Sequence, residues 1–224
     1  MKLFGEEELY YFNKLEENIP GIILAGGAIR DYLNKKEYND VDIFINAGDS
    51  PINKYGYAYL VDEIIGDLFD LSSNGDAKFL DVFSNNYVDS ISNCGIENIL
   101  EINKNDRKYQ LVFLSRNPIS YLKKFFDFNC CKIFYSNRQV HKSQEYKTFD
   151  STRQLEIMYP NKNIKFLQKH LFRAKKILSK YTEVTKGPNL QQLELALSKD
   201  TTNAKAVDME KRIKKVQIKF NSWT

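Results

Sequence analysis

Hydrophobic residues recur at helical spacing at the start of the chain, at Leu9, Phe12 and Leu15, which predicts an amphipathic helix over residues 6–18 that ends before Pro20-Gly21. The pattern then changes. Ile22 to Leu24 is a short apolar run, Gly26-Gly27 breaks it, and Ala28-Ile29-Arg30-Asp31-Tyr32-Leu33 resumes a helical pattern, so the segment reads as strand, tight turn and helix. Nine positions beyond Asp31, Asp40-Val41-Asp42 leads into Ile43-Phe44-Ile45, which is β-branched and aromatic enough for a strand.

Past a loop at Asp49-Ser50-Pro51, the spacing of Leu60, Ile64, Leu68 and Leu71 predicts a helix over 57–71. Apolar stretches at 79–83, 87–91, 99–102 and 109–114, parted by Asn-, Gly- and Lys-rich breaks, predict further sheet. Asn117-Pro118 opens a helix whose apolar face runs through Ile119, Leu122, Phe125, Phe126, Cys130 and Ile133. Residues 138–162 are polar and read as a linker with a short helix from Ser151 to Tyr159. Helical periodicity returns with Ile164, Leu167, Leu171, Ala174 and Leu178, stops at Gly187-Pro188, and resumes over 189–198 and 204–220. The expected class is α+β: a head with a small mixed sheet and helices on one side, residues 1–117, then a helical neck and basic C-terminal region, residues 118–224.

Two of these patterns carry chemistry. Gly26 and Gly27 let the backbone approach a ligand closely, and the helix that follows presents unpaired N–H groups and a positive dipole end, which suit a phosphate. Arg30 adds a positive charge nearby. Side chains on a strand alternate, so Asp40 and Asp42 point to the same face, where two carboxylates repel unless a hard cation such as Mg²⁺ lies between them. A phosphate cradle beside a metal-binding pair points to nucleotide chemistry.

Gly-Gly-x-x-Arg-Asp followed by Asp-x-Asp resembles the head-domain signature of class II CCA-adding enzymes and bacterial poly(A) polymerases, within the polymerase-beta-like nucleotidyltransferases. The resemblance implies that Asp40 and Asp42 hold two catalytic Mg²⁺ ions and that Gly26, Gly27 and Arg30 position a nucleoside triphosphate. Phe126-Asp127-Phe128-Asn129 is similar to the Arg-Arg-Asp-Phe-Thr motif of that family, although both arginines are replaced, by Phe125 and Phe126. Asp127 is therefore a candidate third catalytic carboxylate or nucleotide contact, with Asp81 behind it, while Gln110 stands where an acid is expected; the alternative for Asp127 is an acid bonded to Asn129 or a lysine at a helix bend. His170-Leu-Phe-Arg173-Ala-Lys-Lys176 resembles the end of the family's neck motif. Arg173 and Lys176 keep its charge as nucleotide contacts, but the base-reading Asp and Arg fall on Leu167 and His170.

Composition and charge add to this picture. The net charge of +4 is uneven: residues 162–224 hold 15 Lys and Arg against 5 Asp and Glu. A basic tail, with Lys211, Arg212, Lys214, Lys215 and Lys219 foremost, can neutralise an RNA backbone or simply solvate a helix. The adjacent Cys130-Cys131 suits neither a disulfide framework nor zinc and reads as buried hydrophobes, and lone His141 and His170 carry no metal role. No apolar run approaches the roughly 20 residues that span a bilayer, so a cytoplasmic protein is expected, and the Asn-, Lys- and Tyr-rich composition suggests a phage or mobile-element genome. The expected activity is Mg²⁺-dependent transfer of a nucleotide to an acceptor hydroxyl, an RNA 3′ end first. Transfer to a protein or small molecule, or a degenerate non-catalytic nucleic-acid-binding module, are the alternatives.

Overall fold

The computed structural model describes residues 6–47, 64–71, 77–80, 95–158 and 164–198. The chain divides into two compact units, one built from Met1–Phe125 and Cys131–Lys142, the other from Phe126–Cys130 and Ser143–Thr224.

The first unit runs α1 (Glu6–Asn18), β1 (Ile23–Ala25), α2 (Gly27–Leu33), β2 (Asp40–Asn46), a single turn α3 (Asp67–Phe69), β3 (Ala77–Phe79), β4 (Ile96–Lys104), β5 (Arg107–Leu114), α4 (Pro118–Phe125), β6 (Ile133–Ser136) and β7 (Gln139–Lys142). Its seven strands form one sheet in the order β3-β4-β5-β2-β1-β6-β7. The β2–β5 pair is parallel and the other described pairs are antiparallel, so the sheet is mixed and the class is α+β.

Alternation along β2 and β5 decides which face is core. Val41, Ile43 and Ile45 lie in register with Tyr109, Leu111 and Phe113, and all six are at most 1% exposed. Helix α1 covers this face, where Tyr11 meets Tyr109 edge-on at 5.6 Å and Phe12 meets Tyr135 at 5.4 Å. Burial of such rings is worth about 1.5–3 kcal/mol each by area, which is why a helix of modest amphipathicity stays seated. The opposite face carries Asp40, Asp42 and Phe44. Helix α4 reaches it at Phe44, whose ring lies 5.8 Å from Tyr121.

Several expectations shift here. The helix opened by Asn117-Pro118 ends at Phe125 instead of running to Ile133; Cys130 lies in a 3₁₀ turn, Asn129–Cys131, and Ile133 begins β6. The β6–β7 hairpin occupies the start of the expected linker. Its turn residues, Asn137 and Arg138, have φ of 48° and 58°, the left-handed pair that matches strand twist in a two-residue hairpin. Of the strand expected at 79–83, Phe79 closes β3 and residues 81–83 lie outside the described residues. The strand expected at 87–91 and residues 57–63 of the helix expected over 57–71 lie outside the described residues.

The second unit contains α5 (Gln144–Thr152), β8 (Gln154–Leu155), α6 (Ile164–Lys180), β9 (Thr185–Lys186) and α7 (Pro188–Ser198). Helix α5 lies earlier than the expected 151–159 because Ser143 caps it, its Oγ accepting from the Tyr146 N–H at 3.2 Å. The buried stripe from α6 onward is Leu167, His170, Ala174, Ile177 and Tyr181, with Leu171 and Leu178 half-buried. The helix is thus rotated from the expected phase, and a histidine enters the core. Cys130 and Cys131 are buried free thiols, as read from the sequence. Among the described residues no helix is long and apolar enough to cross a membrane.

Candidate functional site

The antiparallel pairing of β1 with β2 places Ala25 opposite Asp42. Gly26, the next residue, therefore turns the chain beside the carboxylates. Its φ of 87° and ψ of −137° belong to a region that only glycine visits without strain, and its N–H donates to the Ile133 carbonyl at 3.3 Å. Gly27 then opens α2. Asp40 is exposed and Asp42 half-buried, on one face of β2.

Arg30 takes a different position from an open phosphate contact. It is 7% exposed, with Nε and Nη2 each 2.6 Å from Asp31 Oδ1 and Nη1 donating to Cys131 Sγ at 3.2 Å. A triphosphate contact from Arg30 would need this pair to open. Asp31 is not a first-turn acid on the helix dipole, because α2 begins at Gly27 and its first turn holds no acid; its structural role is this ion pair.

Register carries the Asp42 position across the sheet. Lys78, Glu101, Gln110, Asp42, Ala25, Phe134 and His141 are successive cross-strand partners from β3 to β7. The acid in this row that sequence reasoning missed is Glu101. Only 5% exposed, it accepts from Gln110 Nε2 at 3.2 Å, and the ammonium groups of Lys78 and Lys108 each lie 3.2 Å from its oxygens. Burial alone would raise its pKa; the hydrogen bonds from Gln110, Lys78 and Lys108 outweigh that and hold the carboxyl below the usual range. Glu101 is one of two glutamates in a nine-residue strand and carries no motif, so only the register singles it out. At the far end of the row His141 stacks on Phe134 at 4.7 Å.

Asp127 and Arg173 belong to the second unit and meet there. Asp127 is 5% exposed, and its Oδ2 accepts from Arg173 Nη1 at 2.5 Å and lies 3.0 Å from His170 Nδ1. Burial would push its pKa up, but the His170 hydrogen bond and the Arg173 charge prevail and lower it. Phe128 lies edge-on to His170 and under the Arg173 guanidinium. Lys176 is exposed on the same helix. Asp81 and the lysines of 204–220 lie outside the described residues.

Asp40 and Asp42 are hard oxygen donors on one solvent-reaching face and fit a divalent cation such as Mg²⁺. Among the described residues no group of three His, Cys, Asp or Glu side chains gathers for a metal.

A family model described as "Gabija anti-defense 2 family protein" (Gad2) matches residues 3–154. The chain belongs to the Gabija anti-defense 2 family. Comparison with curated proteins returns no match. This family member shares its fold with CCA-adding enzymes. The Bacillus stearothermophilus enzyme in complex with CTP superposes with a TM-score of 0.57 at 16% identity, covering 96% of this chain and 49% of that one. The Thermotoga maritima enzyme complexed with tRNA gives 0.58 at 11% identity, covering 94% and 50%. A CCA-adding enzyme complexed with ATP gives 0.55 at 12%, covering 92% and 46%. The Gad2 chain thus spans about half the length of these structures and shares the fold of the part it covers.

Proposed function

We propose that the chain is a Mg²⁺-dependent nucleotidyltransferase acting in the cytoplasm. The observation that carries this is the placement of Asp42 directly across from Ala25, so that the Gly26 turn and the Asp40/Asp42 pair share one end of the sheet. The acceptor hydroxyl oxygen would form a bond to the α-phosphorus of a nucleoside triphosphate, the bond to pyrophosphate would break, and the hydroxyl proton would pass to solvent. Asp40 and Asp42 would hold two Mg²⁺ ions, which when bound activate the nucleophile and neutralise the leaving group. Gly26 and Gly27 would offer backbone to the phosphates, with Arg30 behind them. In the second unit Asp127 would act by fixing Arg173, with Lys176 exposed on the same helix.

An RNA 3′ end is the acceptor favoured by the basic residues of 204–224, which would grip a phosphate backbone. The family description favours a second reading, in which the hydroxyl belongs to a protein of the Gabija defence. Incubating the chain with each labelled triphosphate, Mg²⁺, total RNA and Gabija proteins separates them: label on RNA supports the first, label on protein the second. Absence of transfer to every acceptor, or transfer undiminished by Asp42→Ala, overturns the enzymatic reading and leaves a binding module.

A further inference from the structure

Glu101 is a buried carboxylate satisfied by Lys78, Lys108 and Gln110, and the last of these bonds fixes the sense of an amide. A carboxylate only accepts hydrogen bonds, so the Gln110 amide must turn its Nε2–H₂ toward Glu101, which it does at 3.2 Å. Its Oε1 is then the amide atom turned away from Glu101. On that other side of β5 the neighbouring strand is β2, and the cross-strand partner of Gln110 there is Asp42, on the same face. The amide is half-buried, so it is reachable from solvent. Lys108, the cross-strand partner of Asp40, has its ammonium held on Glu101.

Resting on the metal reading of Asp40 and Asp42, we propose that Gln110 Oε1 is the third protein oxygen of that cation site, and that Glu101 is the positioning residue that fixes the amide in the ligating sense. The protein donors then carry two negative charges in place of three. Amide oxygens are ordinary ligands for hard cations, and a group that orients a ligand commonly affects metal binding as much as a ligand does.

Mn²⁺ binding to the full chain, followed by electron paramagnetic resonance without triphosphate, tests this independently of activity. Gln110→Ala is expected to weaken Mn²⁺ about tenfold, and Glu101→Gln, which lets the amide flip, to weaken it by a similar factor. Gln110→Glu, which restores a charged oxygen without depending on Glu101 for its sense, is expected to bind more tightly than the parent chain. Glu101→Gln should cost little further in the Gln110→Ala background. Mn²⁺ binding that is lost in Asp42→Asn but unchanged in Gln110→Ala overturns the role of Gln110 while the carboxylate reading stands. Binding unchanged in Asp42→Asn overturns both.

Discussion

Removing the Asp127 side chain tests whether this acid holds the second unit together. In Asp127→Ala two partners lose their acceptor. Arg173 is 58% exposed at its side chain and stays hydrated, so its share is that of a surface pair, about 0.5–1 kcal/mol. His170 is 9% exposed and its Nε2 has no hydrogen-bond partner among the described residues, so stripping Nδ1 leaves a buried ring with neither nitrogen satisfied there, at about 1–3 kcal/mol. The expected destabilisation at neutral pH is about 1.5–4 kcal/mol, seen as a fall of about 1–2 M in the urea midpoint by circular dichroism. The sign of the pH dependence follows from the lowered pKa. A carboxyl that is more acidic in the fold stabilises above its unfolded pKa and loses that contribution as pH falls through the folded one, so the gap between parent and variant should narrow below about pH 4. A gap under about 0.5 kcal/mol at pH 7, within the range of ordinary surface substitutions, or one that widens on acidification, would refute the reasoning.

Gly26→Ala should destabilise the first unit by about 1–3 kcal/mol and abolish nucleotidyl transfer, since alanine cannot hold φ 87° and ψ −137° unstrained; thermal melts and transfer assays check it. In Gly187→Ala the new methyl would lie 2.3 Å from Glu156 Cδ, forcing off the carboxylate that accepts the Asn189 N–H at 3.0 Å in the first turn of α7. A loss of about 1–3 kcal/mol is expected in urea unfolding, and in a Glu156→Ala background the same substitution should cost much less. Burial lifts the Glu156 carboxyl above its ordinary value despite hydrogen bonds from the Asn189 and Leu190 N–H groups, so its ionisation works against the fold. Stability from this group is present at low pH and lost as pH rises through the folded pKa; Glu156→Gln should therefore be more stable than the parent at pH 8 and equal to it near pH 4 in matched melts.

The parts of the fold legible in the sequence are those where period and punctuation agree. The Ile22–Leu24 run, the double glycine and the alternation through Asp40 and Asp42 each point the same way, and the structure has strand, turn, helix and strand there. Ile133 continues an i, i+3 series from Cys130 and so looks helical, whereas it starts a four-residue strand whose hairpin turn is Asn-Arg, not the stronger Asn-Gly signal. Composition favours Leu171 over His170 for the core of α6, and the helix takes the other phase. Asp127 inverts that ranking, since a buried acid draws the histidine inward. Glu101 and its lysines depend on pairing between strands, a relation no local window contains.

The three-residue β1 is hydrogen-bonded on both sides, to β2 and to β6. An edge strand can take up an extra residue as an outward bulge, but an inserted residue here must shift two ladders at once, and a shift of one turns Leu24 off the core face. Length is therefore frozen from Ile23 through Gly26, whereas the β6–β7 hairpin, at the sheet edge with its turn at Asn137-Arg138, can lengthen at the loss of the bond from the Asn137 N–H to Glu16 Oε1 at 2.9 Å. Insertion scanning should find residues 23–26 intolerant of a single inserted residue and the hairpin tip at Asn137-Arg138 tolerant of several, so tags and fusion partners belong at the tip.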